Sequence, residues 1–278
     1  MKPTTPIETL DEDRLIASAE FLPALRAAGL DTFDKIMTHS GGQMQRAIPH
    51  RSTVRIEIGS MAAYLKRYEA GYLSAPGWLL RLLRWPSADD EAGREWRKIL
   101  LLRQHGFLTA APIALGQRRG CCGVVTESLL VTREIEGGKP ADDVLKAASM
   151  QRRRRLLANI GELARRFHDA GFIHKDLYLK HIFAVETCGD DHLHLIDLQR
   201  VLGPRRHRTR WYRKDQAALA FSARAHAQLS ATNLLRLYRS YSRVTKLTVG
   251  DKNYIRQLWP RVERLLQRTP KYKRIWNQ

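Results

Sequence analysis

The sequence predicts an α+β chain in two lobes, a small strand-rich amino-terminal lobe and a helical carboxy-terminal lobe. Three observations predict it. Residues 61–68, Met-Ala-Ala-Tyr-Leu-Lys-Arg-Tyr, form an apolar and aromatic run of strand character, preceded by strand-like stretches at 44–48 and 53–58. Leu156, Leu157, Ile160, Leu163, Ala164 and Phe167 recur at helical spacing, which predicts an amphipathic helix over about 152–169 that Gly171 ends. After that helix comes a loop, His174-Lys-Asp-Leu-Tyr-Leu-Lys-His-Ile-Phe183, and then Leu195-Ile-Asp-Leu-Gln199, so that two carboxylates, Asp176 and Asp197, flank a predicted hairpin.

The elements follow in order. Residues 1–40 are expected to be a helical lead-in, 41–133 the amino-terminal lobe and 134–278 the carboxy-terminal lobe, with the hinge near 131–135. In the first lobe the turn Pro49-His50-Arg51-Ser52 joins two strands, and Arg51 or the backbone near Ser52 is placed to contact phosphates or simply to make a hairpin turn. Lys66 sits inside the next strand. A lysine that contacts phosphate needs a carboxylate to hold its flexible stem, and Glu95 is the candidate, on a helix where Trp96, Ile99, Leu100 and Arg103 recur before His105-Gly106 stops it. The competing reading of Lys66 is a surface lysine on an edge strand. Glu91 and Arg94 are expected to be solvated.

In the second lobe, residues 181–186 read as a strand, 187–191 as a turn and 192–196 as a second strand leading to Asp197. A short loop whose Asp accepts a hydroxyl proton, followed beyond a hairpin by an Asp that holds magnesium, is the layout of protein-kinase-like enzymes. Taken singly, Asp176 could cap a turn and Asp197 could end a strand. Lys214-Asp215 opens a later helix, where Asp215 is structural, either bracing the loop from below or capping that helix.

At these residues the chain resembles the bacterial lipopolysaccharide kinases, the InaA/WaaP and Kdo kinase group. The motifs are Tyr64-Leu-Lys66-Arg-Tyr68, Arg94-Glu95-Trp96, the loop from His174 to Phe183, Leu195-Ile-Asp-Leu-Gln199 and Lys214-Asp215. Tyr178 and His181 set the loop apart from protein kinases, which place Lys and Asn there. The resemblance implies a two-lobed protein-kinase-like fold and a phosphotransferase that uses ATP and Mg2+. It makes Asp176 the base and Asp197 the metal ligand, and puts Lys66, Glu95 and His181 at the cofactor. His181 stands where an Asn would bind a second magnesium, and imidazole is a poorer ligand for a hard cation, so one metal is expected. Asp197-Leu-Gln lacks the glycine of the usual Asp-Phe-Gly, which argues against switch-type regulation. The implied acceptor is a heptose or Kdo of the lipopolysaccharide inner core.

Composition bounds the remainder. The 278 residues, 44% hydrophobic, supply ample core, no stretch approaches the ~20 apolar residues that span a bilayer, and the polar Met1 to Leu10 gives no secretory signal. The three cysteines, with Cys121 and Cys122 adjacent, make neither a disulfide framework nor a zinc site. The net charge of +20 demands an anionic partner. It gathers in Arg152 to Arg155, in residues 203–214 with six Arg or Lys, and in residues 251–278 with eight among Tyr254, Trp259, Tyr272 and Trp276. Residues 72–86, with Trp78, Arg81, Arg84 and Trp85, suit a headgroup surface or a buried lobe element. A lipid-linked acidic sugar as substrate, an anionic membrane surface as partner and no nucleic acid are therefore expected. The implied location is peripheral, on the inner face of the cytoplasmic membrane of a Gram-negative bacterium. Two other readings stay open: an inactive kinase-like protein that binds anionic lipid or nucleic acid, and a kinase for another small-molecule or protein acceptor.

Overall fold

The computed structural model describes residues 6–69, 90–120, 123–206 and 208–268, and the chain divides into two compact units after Ile135. The stretch 72–86, Cys121, Cys122, Tyr272 and Trp276 lie outside the described residues.

The first unit is built on a seven-stranded antiparallel sheet. In chain order its strands are β1 (Ile7–Leu10), β2 (Leu15–Ser18), β3 (Gln43–Ile48), β4 (Arg51–Ile58) and β5 (Met61–Tyr68), then β7 (Pro112–Arg119) and β8 (Val125–Arg133) after a two-residue strand β6 (Leu108–Thr109). In space the order is β1-β2-β7-β8-β5-β4-β3. Successive strand side chains point to opposite faces, so Val54, Ile56 and Ile58 of β4 and Ala63 and Leu65 of β5 enter one core. Leu15, Leu25, Phe33 and Ile36 close it, contributed by β2 and by two short helices, α1 (Leu22–Ala27) and α2 (Phe33–Met37). The same alternation turns Lys66 to the other face, against which α3 (Glu91–Gln104) packs with Trp96, Ile99 and Leu102 buried. Asp90 caps that helix by accepting a hydrogen bond from the Gly93 N–H at 2.9 Å.

The lead-in expected to be helical over 1–40 is therefore corrected. Residues 7–18 form the β1–β2 hairpin and extend the sheet, with β2 paired to β7, and only two short helices follow. Four-residue strands are too short to show a period.

The second unit begins with β9 (Lys139–Pro140), α4 (Ala141–Ala147) and the long α5 (Met150–Asp169). Ser149 caps α5, and Gly171 at φ +78° turns the chain out of it; a Cβ there would lie 2.9 Å from the Arg205 backbone. The hairpin β10 (Ile182–Thr187) and β11 (Asp190–Leu195) pairs Ile182 with Leu195 at its base. Three helices complete the unit, α6 (Thr209–Ala225), α7 (Ala231–Ser242) and α8 (Val249–Arg268). Phe221 and Ala225 of α6 share a core with Leu258, Val262 and Leu266 of α8.

Helix α5 lies close against α7 at Gly161, where a Cβ would come 2.7 Å from the Leu237 carbonyl oxygen and 3.0 Å from the Tyr241 nitrogen. Both obstacles are backbone, so the helices would have to separate. Gly161→Ala is expected to destabilise the fold by about 1–3 kcal/mol despite its better helix propensity, measured as a lower chemical-denaturation midpoint with unchanged slope.

Candidate active site

The loop between α5 and β10 is fixed by α6 beneath it. Asp215 is fully buried, and its two carboxylate oxygens accept the backbone N–H groups of His174 at 2.6 Å and Lys175 at 2.8 Å. Its Oδ2 also faces His168 Nε2 at 3.3 Å, while His168 Nδ1 meets the Tyr241 hydroxyl at 2.9 Å. Seven residues further along α6, on the same face, the Ser222 hydroxyl accepts the Leu179 N–H at 2.9 Å. Of the two structural roles open to Asp215, bracing is the one observed. Helix α6 starts at Thr209, earlier than expected, so Asp215 lies inside it and cannot cap it.

The brace holds Lys175 at φ +71°, a left-handed backbone that a non-glycine residue adopts only under outside constraint. His174, fully buried beside it, has its pKa lowered by burial, and its Nε2 lies 3.2 Å from the Ile196 carbonyl. Asp176 follows. Its oxygens are 3.0 and 2.8 Å from Arg200 Nη1, a donor that sequence reasoning missed. The only signal for it was position, three residues past Asp197. His181 returns to the loop by its Nδ1, 2.8 Å from the Asp176 carbonyl oxygen. Asp197 is also left-handed, at φ +58°, and its Oδ2 stands 3.6 Å from His181 Nε2. With Nδ1 donating to the carbonyl, Nε2 is the ring nitrogen turned toward the Asp197 carboxylate.

In the first unit the Lys66 ammonium lies 2.7 and 2.8 Å from the Glu95 carboxylate oxygens, and the Glu95 side chain is 4% exposed. This is the pairing expected from sequence. Lys66 is not on an edge strand, since β5 runs between β4 and β8. Arg51 and Ser52 are in β4 rather than in the turn, which is reduced to Pro49-His50 with His50 at φ +60°. Arg51 pairs with Glu91 at 3.5 Å and lies over the Tyr68 ring at 5.0 Å, so Glu91 is not simply solvated. No group of three or more potential metal ligands occurs among the described residues, and none of their helices is long and apolar enough to cross a membrane.

A strand lysine held by a helix glutamate, and a braced loop carboxylate followed past a hairpin by a second, define the class of protein-kinase-like phosphotransferases. Within that class, residues 40–241 match the model of the lipopolysaccharide kinase (Kdo/WaaP) family, and the chain belongs to it. It is 27% identical over 252 residues to the lipopolysaccharide core heptose(I) kinase WaaP of Escherichia coli K12, covering 87% of this chain and 93% of that one. The Pseudomonas aeruginosa WaaP of the same description is 27% identical over 265 residues, covering 88% and 93%. A solved structure described as WaaP in complex with acyl carrier protein superposes with a TM-score of 0.67 at 24% identity, covering 90% of this chain and 97% of that one. The kinase fold and phosphotransferase class expected from sequence are thus shown.

Asp215→Asn is expected to lose charge-assisted bonds to the loop backbone and to cost about 2–3 kcal/mol. Hydrogen exchange at the His174 and Lys175 amides should accelerate more than exchange in the α5 interior. Equal acceleration in both places would mean that the brace is not local to the loop.

Proposed function

We propose that the chain is an ATP-dependent kinase that phosphorylates a sugar hydroxyl, heptose or Kdo, of the lipopolysaccharide inner core. The observation that carries this reading is Asp176, held on a rigid loop with its carboxylate aimed by Arg200, in a chain of this family. Asp176 orients the hydroxyl and takes its proton as its oxygen bonds to the γ-phosphorus of ATP, while the bond from that phosphorus to the bridging oxygen breaks and ADP leaves. Arg200 half-neutralises the waiting carboxylate, and the hydroxyl takes over one of its contacts on binding. Lys66, kept in one rotamer by Glu95, binds phosphate oxygens. Asp197 would hold Mg2+, which would supply charge neutralisation at the phosphates, and His181 stands beside it at the cofactor. Transfer is then mainly positioning and electrostatics.

The reading of a catalytically inactive binding protein is disfavoured by the intact Lys66–Glu95 pair and by both carboxylates. Purified protein with ATP, Mg2+ and inner-core glycolipid should yield a phosphorylated lipid, detected by mass spectrometry. Asp176→Ala should lower kcat by about 10²–10⁴. Arg200→Ala should lower it less, because the base remains. Equal turnover by Asp176→Ala and wild type would remove Asp176 from the base role, and no phosphorylated lipid would remove the acceptor.

The solved relative carries an acyl carrier protein, and a feature of this chain supports a similar partner. A cavity of about 320 Å³, walled by Leu219, Leu234, Leu237, Ile255, Leu258 and Trp259 on α6, α7 and α8, is almost wholly apolar and suits an acyl chain. Carrier protein bearing a long acyl chain should bind more tightly than the unacylated form, by calorimetry, and Leu234→Arg should erase the difference. Binding indifferent to acylation would leave the cavity without this role.

A further inference from the structure

Three cations surround one indole beside the catalytic loop. Lys175 Nζ lies 5.5 Å from the centroid of the Trp211 ring, Arg210 Cζ 5.4 Å and Lys214 Nζ 5.8 Å. Arg210 and Lys214 are four residues apart on α6, a spacing at which like charges repel. Among the described residues no carboxylate forms an ion pair with any of the three. Asp176, next to Lys175 in sequence, is already engaged by Arg200 at 2.8 Å. The Lys175 backbone, from which the side chain reaches Trp211, is pinned by Asp215 at φ +71°. Burial first, and then the nearby charges of Arg200 and Lys214, lower its pKa.

Positive charge concentrated on a braced loop and a helix, half-screened by one aromatic face, is a place prepared for an anion. The charges of Asp176 and of Arg200, which contacts it, both act on the Lys175 ammonium, so an anion bound there lies near whatever Asp176 deprotonates. We propose that Lys175, Arg210 and Lys214, gathered around Trp211, bind an oxyanion substituent of the acceptor glycolipid, a phosphate or carboxylate close to the reacting hydroxyl. The proposal rests on the kinase reading and names how that site selects an acidic acceptor. Two ammonium groups give charge without a fixed fork, and the guanidinium adds a directed pair of donors. A neutral sugar in the same place would leave the three cations unpaired, so the cluster rejects neutral acceptors as well as attracting acidic ones.

The test has two arms. In the first, inorganic phosphate and acetate are titrated against the full chain, and tryptophan emission is compared with that of Trp211→Phe to isolate the signal from position 211. Saturable change is expected in wild type and in Lys175→Arg, with affinity at least tenfold weaker in Lys175→Met and in Lys214→Met, each shown by circular dichroism to be folded. Phosphate tighter than acetate points to a phosphate on the acceptor, and the reverse order to a carboxylate. In the second arm, the acceptor KM should rise at least tenfold in Lys214→Met while the ATP KM stays within twofold, and dephosphorylated or carboxyl-reduced acceptor should show no such rise. No saturable change in wild type, or a change untouched by both methionine substitutions, overturns the site. Anion binding as described with no phosphorylated glycolipid from wild type would instead overturn the kinase reading of the acceptor and leave the site standing.

Discussion

The second unit depends on one buried carboxylate. Asp215 has no access to water, and a charge so placed is tolerated only when hydrogen bonds replace its hydration. The N–H groups of His174 and Lys175 supply that replacement, so the loop is drawn onto α6 and its backbone is fixed at two successive residues. Ser222 repeats the contact at Leu179. The left-handed backbone at Lys175 is the strain that this arrangement carries, and the brace is what sustains it.

In the first unit a strand period does similar work. Leu65 must enter the sheet core, so Lys66 must face the other way, where α3 brings Glu95. Core packing thereby decides the direction of a charged side chain on the neighbouring residue. Glu95 is nearly inaccessible, and removing Lys66 would strand it as an unpaired buried charge, which costs about 3–5 kcal/mol in comparable pairs. The ion pair therefore specifies a rotamer more than it adds stability. A lysine held this way presents one fixed donor array rather than a cloud of conformers.

The strongest elements were legible: the strand at 61–68 appears where the apolar and aromatic run predicts it, and helical spacing predicts over about 152–169 the helix observed at 150–169. Glu95 was legible for a chemical reason, the need of a phosphate-contacting lysine for a carboxylate on the following helix. The β1–β2 hairpin escaped because its strands have four residues each and are joined through Asp11, Glu12 and Asp13, all at positive φ, an acidic run that reads locally like a helix start. The true beginning of α6 escaped because Thr209, Arg210, Trp211 and Arg213 carry no apolar stripe; the turn is held by what surrounds it. Arg200 and the Trp211 cluster were illegible for another reason. Arg200 reaches Asp176, and Lys175 reaches Trp211, across segments distant in sequence, and composition records only that the charges exist.

Arg200 gives the departures of this loop from the protein-kinase pattern a physical sense. Protein kinases place a lysine two residues after the base, and this chain has Tyr178 there, edge-on to the His181 ring with centroids 5.7 Å apart. The tyrosine hydroxyl brings no positive charge, and burial raises its pKa, so it stays protonated. The cation beside Asp176 comes instead from the short 3-10 turn after Asp197. That change of origin links the two carboxylates mechanically. Asp197 sets the start of the turn through its left-handed backbone, Arg200 ends the turn on Asp176, and His181 bonds to the Asp176 carbonyl while facing Asp197. Displacing either carboxylate pulls on the other through two short connections. A glycine after Asp197 would loosen this linkage, and Gln199 in its place keeps the two groups in one frame.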